Sequence, residues 1–183
     1  MNEFNTYEYS VEHYKKDPKL RLKKTLLVIF YVVYCFALIF VVAFAKAGVL
    51  AAPLMALIPV TCWIIAFFTW RYAKPEYEYS MTSGVLTFSV IYGNRTRKKK
   101  FDTRIAQADT IAPYSVSAKS DIEKYAPQTT YMGVSSLYSP DAYYMLFETA
   151  DGKRCVYYFE ATDKALKILR FYNPKTVVTK VRY

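Results

Sequence analysis

The sequence has few of the residues and motifs on which catalytic sites depend. Its 183 residues include one histidine, His13, and three cysteines that show neither paired nor metal-ligand spacing. A Ser/His/Asp or Cys/His arrangement would have to use His13, whose charged, amphipathic surroundings indicate a solvated side chain. The GxSxG, GxGxxG, P-loop and CxxC motifs are also absent. The sequence therefore predicts a protein that is not an enzyme and that holds no cofactor and no metal ion.

One long stretch of the chain also has almost no charged residues. Between Thr25 and Trp70 the only charged residue is Lys46. On either side of this lysine, residues 25–45 and 48–70 are each long enough, at about 1.5 Å per residue, to cross the roughly 30 Å hydrocarbon core of a bilayer. The short link between them predicts an antiparallel transmembrane hairpin. Because neither segment contains an Asp, Glu, His, Lys or Arg residue, the hairpin is interpreted as an anchor and not as a pore.

Basic residues flank both segments and predict the orientation of the hairpin. The formal net charge of the chain is +10. The flanking residues are Lys15, Lys16, Lys19, Arg21, Lys23 and Lys24 before the first segment, and Arg71 and Lys74 after the second. Because positively charged flanks stay in the cytoplasm, we expect a two-span protein of the cell membrane with both termini cytoplasmic. A signal peptide cleaved after Ala43-Phe44-Ala45 is the alternative, but the apolar run is long for a signal and a second run follows at once.

The rest of the chain divides into a basic cytoplasmic N-terminal segment, 1–24, and a β-rich cytoplasmic domain, 76–183. In the domain, short runs rich in Tyr, Val, Thr and Phe alternate with turn residues. Asp151-Gly152 between two apolar runs predicts a hairpin with a type I′ turn. A terminal amphipathic helix follows, with Thr162 as its N-cap and Asn173-Pro174 at its end. Strands are predicted at 77–81, 85–92, 95–101, 104–111, 129–137, 143–149 and 154–159, and a short helix at 120–125.

The first half of this domain also resembles a known family. The matching residues are Tyr77-Glu78-Tyr79-Ser80-Met81-Thr82, Gly84-Val85-Leu86, Gly93, the basic strand from Arg95 to Lys100, and Phe101-Asp102-Thr103-Arg104-Ile105. With these residues and its order of elements, the chain resembles a family of small, uncharacterised bacterial membrane proteins in which a transmembrane hairpin precedes a pleckstrin-homology-like (bacterial PH-like) domain. The resemblance implies an α+β fold: a β-sandwich or barrel of about seven strands with a C-terminal amphipathic helix. It implies nothing about activity.

The candidate binding site is the densest cluster of positive charge in the chain. It consists of Arg95, Arg97, Lys98, Lys99 and Lys100, in a run that is polar on both faces of the predicted strand. One interpretation is that these residues bind anionic phospholipid headgroups or a protein partner. The other is a solvated edge strand whose charges only prevent aggregation.

These observations predict a membrane-anchored, non-enzymatic binding or scaffolding module that is integral to the lipid bilayer. A protein partner or a homo-oligomer is compatible with the sequence. The alternative is a subunit of a membrane-bound enzyme or transport complex whose site is assembled across chains. A flat basic face would favour the module, and a carboxylate cluster in a deep pocket would favour the enzyme. The 19 tyrosines show no RNA-binding signature, so no nucleic-acid partner is expected.

Overall fold

The computed structural model describes residues 6–12, 18–45, 48–93, 96–115 and 118–179, apart from the side chains of residues 12, 18 and 19. His13, Lys46 and Arg95, for which the sequence makes predictions, lie outside this part. The chain forms two compact units, one of Lys16–Pro75 and one that combines Met1–Lys15 with Glu76–Tyr183. We refer to them as the helical unit and the β unit.

The helical unit consists of two long helices with apolar surfaces. Helix α1 is Pro18–Phe44 and helix α2 is Ala51–Trp70, with one 3-10 turn before α2 at Gly48–Leu50 and one after it at Arg71–Ala73. The stretches Leu20–Phe44 and Gly48–Ala73 are long and apolar enough to cross a membrane. The two predicted segments are therefore helical, as expected, and α1 begins about two turns before the predicted segment.

Three hydroxyl side chains of the helical unit form hydrogen bonds with one another or with the backbone. The hydroxyls of Tyr31 and Thr69 are hydrogen-bonded between the two helices, and Thr69 also donates to the carbonyl of Ile65. Thr61 donates to the carbonyls of Leu57 and Ile58, next to the proline that interrupts α2 at position 59. Such internal pairing is what an apolar surrounding requires.

A strand that precedes the helices belongs to the β unit. Strand β1, Thr6–Glu12, pairs antiparallel with β2, Pro75–Thr82, in a register from Thr6↔Thr82 to Glu12↔Glu76. The sequence interpretation treated residues 1–24 as a basic segment and began the domain at residue 76, so it missed this strand. Its alternation of apolar and polar side chains was visible, but its pairing partner lies beyond both helices.

The first sheet has the order β1-β2-β3-β4, where β3 is Val85–Tyr92 and β4 is Thr96–Arg104. Ser83 and Gly84 connect β2 to β3 with φ of 50° and 79°, the two positive values that a type I′ turn requires. Leu86, Phe88 and Val90 face the core, in the alternation that is typical of a strand with one buried face.

The second sheet has the order β5-β7-β8-β6. Its strands are β5 at Ala108–Pro113, β6 at Thr129–Gly133, β7 at Ala142–Glu148 and β8 at Arg154–Glu160. Between β5 and β6, helix α3 (Ala118–Tyr125) covers one face of the sheet and packs Ile122 against Leu146 and Val156. The other face of this sheet meets the first sheet in the main core, so β7 is buried on both faces.

The hairpin of β7 and β8 forms as predicted, but its turn is different. Gly152 has φ of 74°, whereas Asp151 is not among the described residues with positive φ, so the predicted type I′ turn is wrong. The amide of Gly152 donates to the carbonyl of Thr149 at 2.9 Å, and the amide of Thr149 donates to the carbonyl of Lys153 at 3.0 Å. These bonds define a three-residue loop that ends in a left-handed glycine.

Helix α4, Asp163–Tyr172, closes the β unit. Thr162 caps it and accepts a hydrogen bond from the amide of Ala165 at 3.2 Å, as predicted. Asn173 ends the helix and donates to the carbonyls of Ile105 and Ala108 at 2.9 and 3.1 Å. The α+β fold is confirmed: within the described residues, seven strands follow the two long helices, in agreement with the predicted number of about seven, and β1 is the eighth.

Candidate functional site: the basic edge strand

The basic cluster lies on β4, at one edge of the first sheet. Its described members, Arg97 to Lys100, all have exposed side chains, and the prediction of an edge strand is confirmed. Arg95 lies outside the described residues. Charged side chains on an edge strand discourage pairing with another sheet.

A β-bulge orients this strand. Phe88 pairs with Phe101 and Ser89 pairs with Lys99, so Lys100 is an extra residue on β4. The bulge resets the alternation after the run of charges and turns Phe101 into the core. The ring of Phe101 lies 4.8 Å from those of Tyr131 and Phe147. The exposed lysines are therefore followed directly by Phe101, whose packing against other aromatic rings holds this end of β4 in the core.

Two of the four described cations in the cluster have acidic partners. Arg97 donates to Glu78 at 2.9 Å, and Lys99 donates to Asp102 at 3.1 Å. Within the described residues, Lys98 and Lys100 form no ion pair. The positive charge that is free to attract a ligand is therefore smaller than the sequence suggests.

The sequence interpretation missed Glu78, which forms an ion pair with the basic strand. Its side chain is only 10% exposed, and a buried carboxylate needs a partner, which Arg97 supplies. Glu78 lies on β2 between Tyr77 and Tyr79, both of which face the core. The alternation along β2 therefore places Glu78 on the outer face of the sheet, so the signal for this position was present in the sequence.

Three carboxylates of the domain line one open cleft. Asp102, Asp109 and Glu148 line this cleft of about 670 Å³ together with Arg104. The hydroxyl of Tyr125 donates to Asp109 at 2.7 Å, and desolvation together with this bond raises the pKa of Tyr125. Across the described residues, no group of three or more His, Cys, Asp or Glu side chains is arranged to hold a metal ion.

Several tyrosines of the domain form its core. Tyr79 donates its hydroxyl to the carbonyl of Glu160 at 2.8 Å, and the ring of Tyr157 lies 5.3 Å from that of Phe159. Burial raises the pKa of Tyr79 and of Tyr157 well above the usual range, so both hydroxyls stay neutral. These side chains pack against other core residues and are not surface stacking platforms.

Comparison with known proteins agrees with this architecture. The family model described as bacterial PH-like domain (DUF6106) matches residues 7–179, a range that begins in β1, includes both long helices and ends after α4. No curated protein and no solved structure matches the chain.

Proposed function

Since the chain belongs to the family of bacterial PH-like domains, we propose that it is a membrane-anchored binding or scaffolding module without catalytic activity of its own. The observation that carries this proposal is an exposed basic strand on a β domain into which two apolar, membrane-length helices are inserted. The apolar helices suit an anchor, and the basic strand suits an acidic ligand.

The pairing of β1 with β2 supports an even number of membrane crossings. β1 leads into α1, β2 follows α2, and the two strands are hydrogen-bonded neighbours in one sheet. The chain must therefore enter and leave the helical unit on the same side of a membrane. Basic residues at both ends of the helical unit favour the cytoplasmic side, so we propose a two-span protein of the cell membrane with both termini in the cytoplasm.

Cysteine labelling in intact cells tests this topology. In a variant whose three natural cysteines are replaced by alanine, Lys46→Cys is expected to react with a membrane-impermeant reagent, and the exposed Asp151→Cys is expected to react only after lysis. Labelling of Asp151→Cys in intact cells would overturn the cytoplasmic assignment.

As the ligand we propose anionic phospholipid headgroups, with Lys98 and Lys100 as the main contacts. These two lysines are exposed and have no acidic partner among the described residues, whereas Arg97 and Lys99 are paired. A basic residue near anionic lipid contributes about 1 kcal/mol, so the two contribute roughly 2 kcal/mol. Such weak attraction suffices for a domain that a covalent anchor holds near the bilayer.

This ligand is tested on the full chain in lipid nanodiscs. An environment-sensitive probe on Thr96→Cys, in the cysteine-free variant, is expected to be quenched by headgroup-labelled lipid more strongly in anionic than in neutral nanodiscs. Lys98→Glu with Lys100→Glu is expected to remove the difference, and a probe on Asp151→Cys is the control. Quenching at Thr96→Cys that is independent of lipid charge would contradict lipid binding and favour a protein partner.

A further inference from the structure

Two cations and one aromatic ring meet at the end of the helical unit where the chain enters α1 and leaves α2. The side chain of Lys23, on α1, places its Nζ atom 5.7 Å from the centre of the Tyr72 ring. The guanidinium carbon of Arg71 lies 4.9 Å from the same centre. Residues from both ends of the helical unit therefore form one cluster around Tyr72.

The cluster contains positive charge without a compensating acid. Neither Lys23 nor Arg71 forms an ion pair with any residue in the part of the chain that the structure describes. Both charges lie close to the same ring, no more than about 11 Å apart. Because Arg71 is half-buried, salt screens their repulsion less than it screens that between two fully exposed charges. The fold therefore holds two like charges near each other, an arrangement that a bound anion would stabilise.

The guanidinium of Arg71 is oriented and has an unused donor. Its Nη2 donates to the Tyr72 hydroxyl at 3.0 Å, which fixes the plane of the group. Its Nε is buried and has no hydrogen-bond partner among the described residues, although a buried donor without a partner is costly. Because a guanidinium has five N–H donors, one that is held by a single hydrogen bond to Tyr72 keeps donors on its two Nη atoms for the oxygens of a phosphate group.

We infer that Lys23, Arg71 and Tyr72 bind the phosphate of an anionic phospholipid. This inference rests on the proposed two-span anchor, because the cluster lies where the apolar stretches end and headgroups are found at that level of a membrane. Lys23 supplies a point charge, Arg71 supplies directed donors, and Tyr72 keeps the guanidinium in place. The site shares no residue with the basic strand β4.

Native mass spectrometry of the full chain in detergent micelles tests the site. Phosphatidylglycerol and phosphatidylcholine with the same acyl chains are added in equal amounts, and bound lipids are counted. The natural sequence is expected to retain one phosphatidylglycerol in preference to phosphatidylcholine. Lys23→Gln with Arg71→Gln is expected to weaken this binding roughly 30-fold, from the usual contribution of two basic residues near anionic lipid.

Two further variants separate a specific site from general charge. Lys167→Gln with Arg170→Gln removes the same charge from the exposed side of α4 and is expected to leave the retained phosphatidylglycerol unchanged. Arg71→Lys keeps the charge and loses the directed donors, and it is expected to bind several-fold more weakly than the natural sequence. Equal losses in the Lys23/Arg71 and Lys167/Arg170 variants, or full binding in Arg71→Lys, would overturn the inference.

The source of the phosphate and the anchor are tested separately. Inorganic phosphate at the concentration of the lipid is expected not to displace phosphatidylglycerol, and displacement would mean that the site takes free phosphate and not a lipid. Extraction of the natural protein from membranes by alkaline carbonate would overturn the two-span anchor. The two-span anchor and the lipid site are both supported if the natural protein stays in the membrane and the Lys23/Arg71 variant loses the preference for phosphatidylglycerol.

Discussion

The two units of this protein place their apolar side chains in opposite ways. In the helical unit, large apolar side chains point outward, and Phe36 and Trp63 are 69% and 68% exposed. In the β unit, side chains of the same kind lie between two sheets, and Phe147 and Phe159 are fully buried. The backbone hydrogen bonds of the helical unit form within each helix, whereas those of the two sheets in the β unit join separate strands. The difference is compatible with the proposed anchor, in which lipid surrounds the first unit and water surrounds the second.

The largest effect is expected from a charge placed in the core of the β unit. Leu169 is fully buried on α4, and an unpaired buried charge costs about 3–5 kcal/mol, compared with about 5–15 kcal/mol for the stability of a whole domain. Leu169→Asp in the full chain is expected to make the β unit sensitive to limited proteolysis while the helical unit stays helical by circular dichroism. Lys167→Asp, on the exposed side of α4, is the control. Resistance of Leu169→Asp equal to that of the control would show that α4 does not close the core.

An aspartate substitution also tests whether lipid or water surrounds the helical unit. Phe36 is exposed, so Phe36→Asp would be nearly neutral if water surrounded α1. In a bilayer, aspartate near the middle of a helix costs about 3 kcal/mol, and we expect Phe36→Asp to reduce insertion in a glycosylation-based insertion assay. Phe36→Leu is the control. Unchanged insertion of the aspartate variant would contradict the proposal that α1 faces lipid.

A glycine in the second sheet tests how tightly the β unit is packed. A Cβ on Gly133 would lie 2.6 Å from the hydroxyl oxygen of Tyr157 and 2.7 Å from its ring. Gly133→Ala is therefore expected to destabilise the β unit by about 1–3 kcal/mol in urea unfolding.

The Tyr157 hydroxyl itself has no hydrogen-bond partner within the described residues. Tyr157→Phe is therefore expected to stabilise the β unit by about 1 kcal/mol. Combined with Gly133→Ala, it should recover part of the loss, because the closest clashing atom is gone. Strict additivity of the two changes would mean that the hydroxyl and residue 133 do not touch.

How much the sequence predicts also differs between the two units. The helices could be read from composition alone, because the absence of charge over about 20 residues is a local property. In the β unit, local alternation predicted the bounds of β3 without error. It did not reveal β1, whose partner is separated from it by the whole helical unit.

Turn geometry and charge pairing were the least predictable features. Asp151-Gly152 carries a strong signal for a type I′ turn, yet the register of β7 and β8 leaves one more residue in the loop. The basic strand was identified, but the partners that neutralise Arg97 and Lys99 depend on strand register and side-chain direction. Sequence reasoning therefore found the candidate site and overestimated its free charge.

The smallest effects are expected from the substitution of tyrosine by phenylalanine, made once in each unit. In the β unit, Tyr79→Phe leaves the carbonyl of Glu160 without its buried donor, and we expect a loss of about 1 kcal/mol in urea unfolding. In the helical unit, Tyr31→Phe removes the bond to Thr69, which keeps its own bond to Ile65. Hydrogen bonds between helices in membranes contribute about 0.6 kcal/mol on average, so Tyr31→Phe should cost less in unfolding by sodium dodecyl sulfate in bicelles.

Tyr34→Phe is the control for the helical unit, because the Tyr34 ring stacks on Phe30 and its hydroxyl has no hydrogen bond to a described residue. It is expected to have no measurable effect. The difference between the units arises because the separated helices still find polar partners in a membrane, whereas the unfolded β unit returns Tyr79 and its carbonyl partner to water. A loss for Tyr31→Phe larger than that for Tyr79→Phe would mean that the bond to Thr69 is a principal contact between the helices and not a minor one.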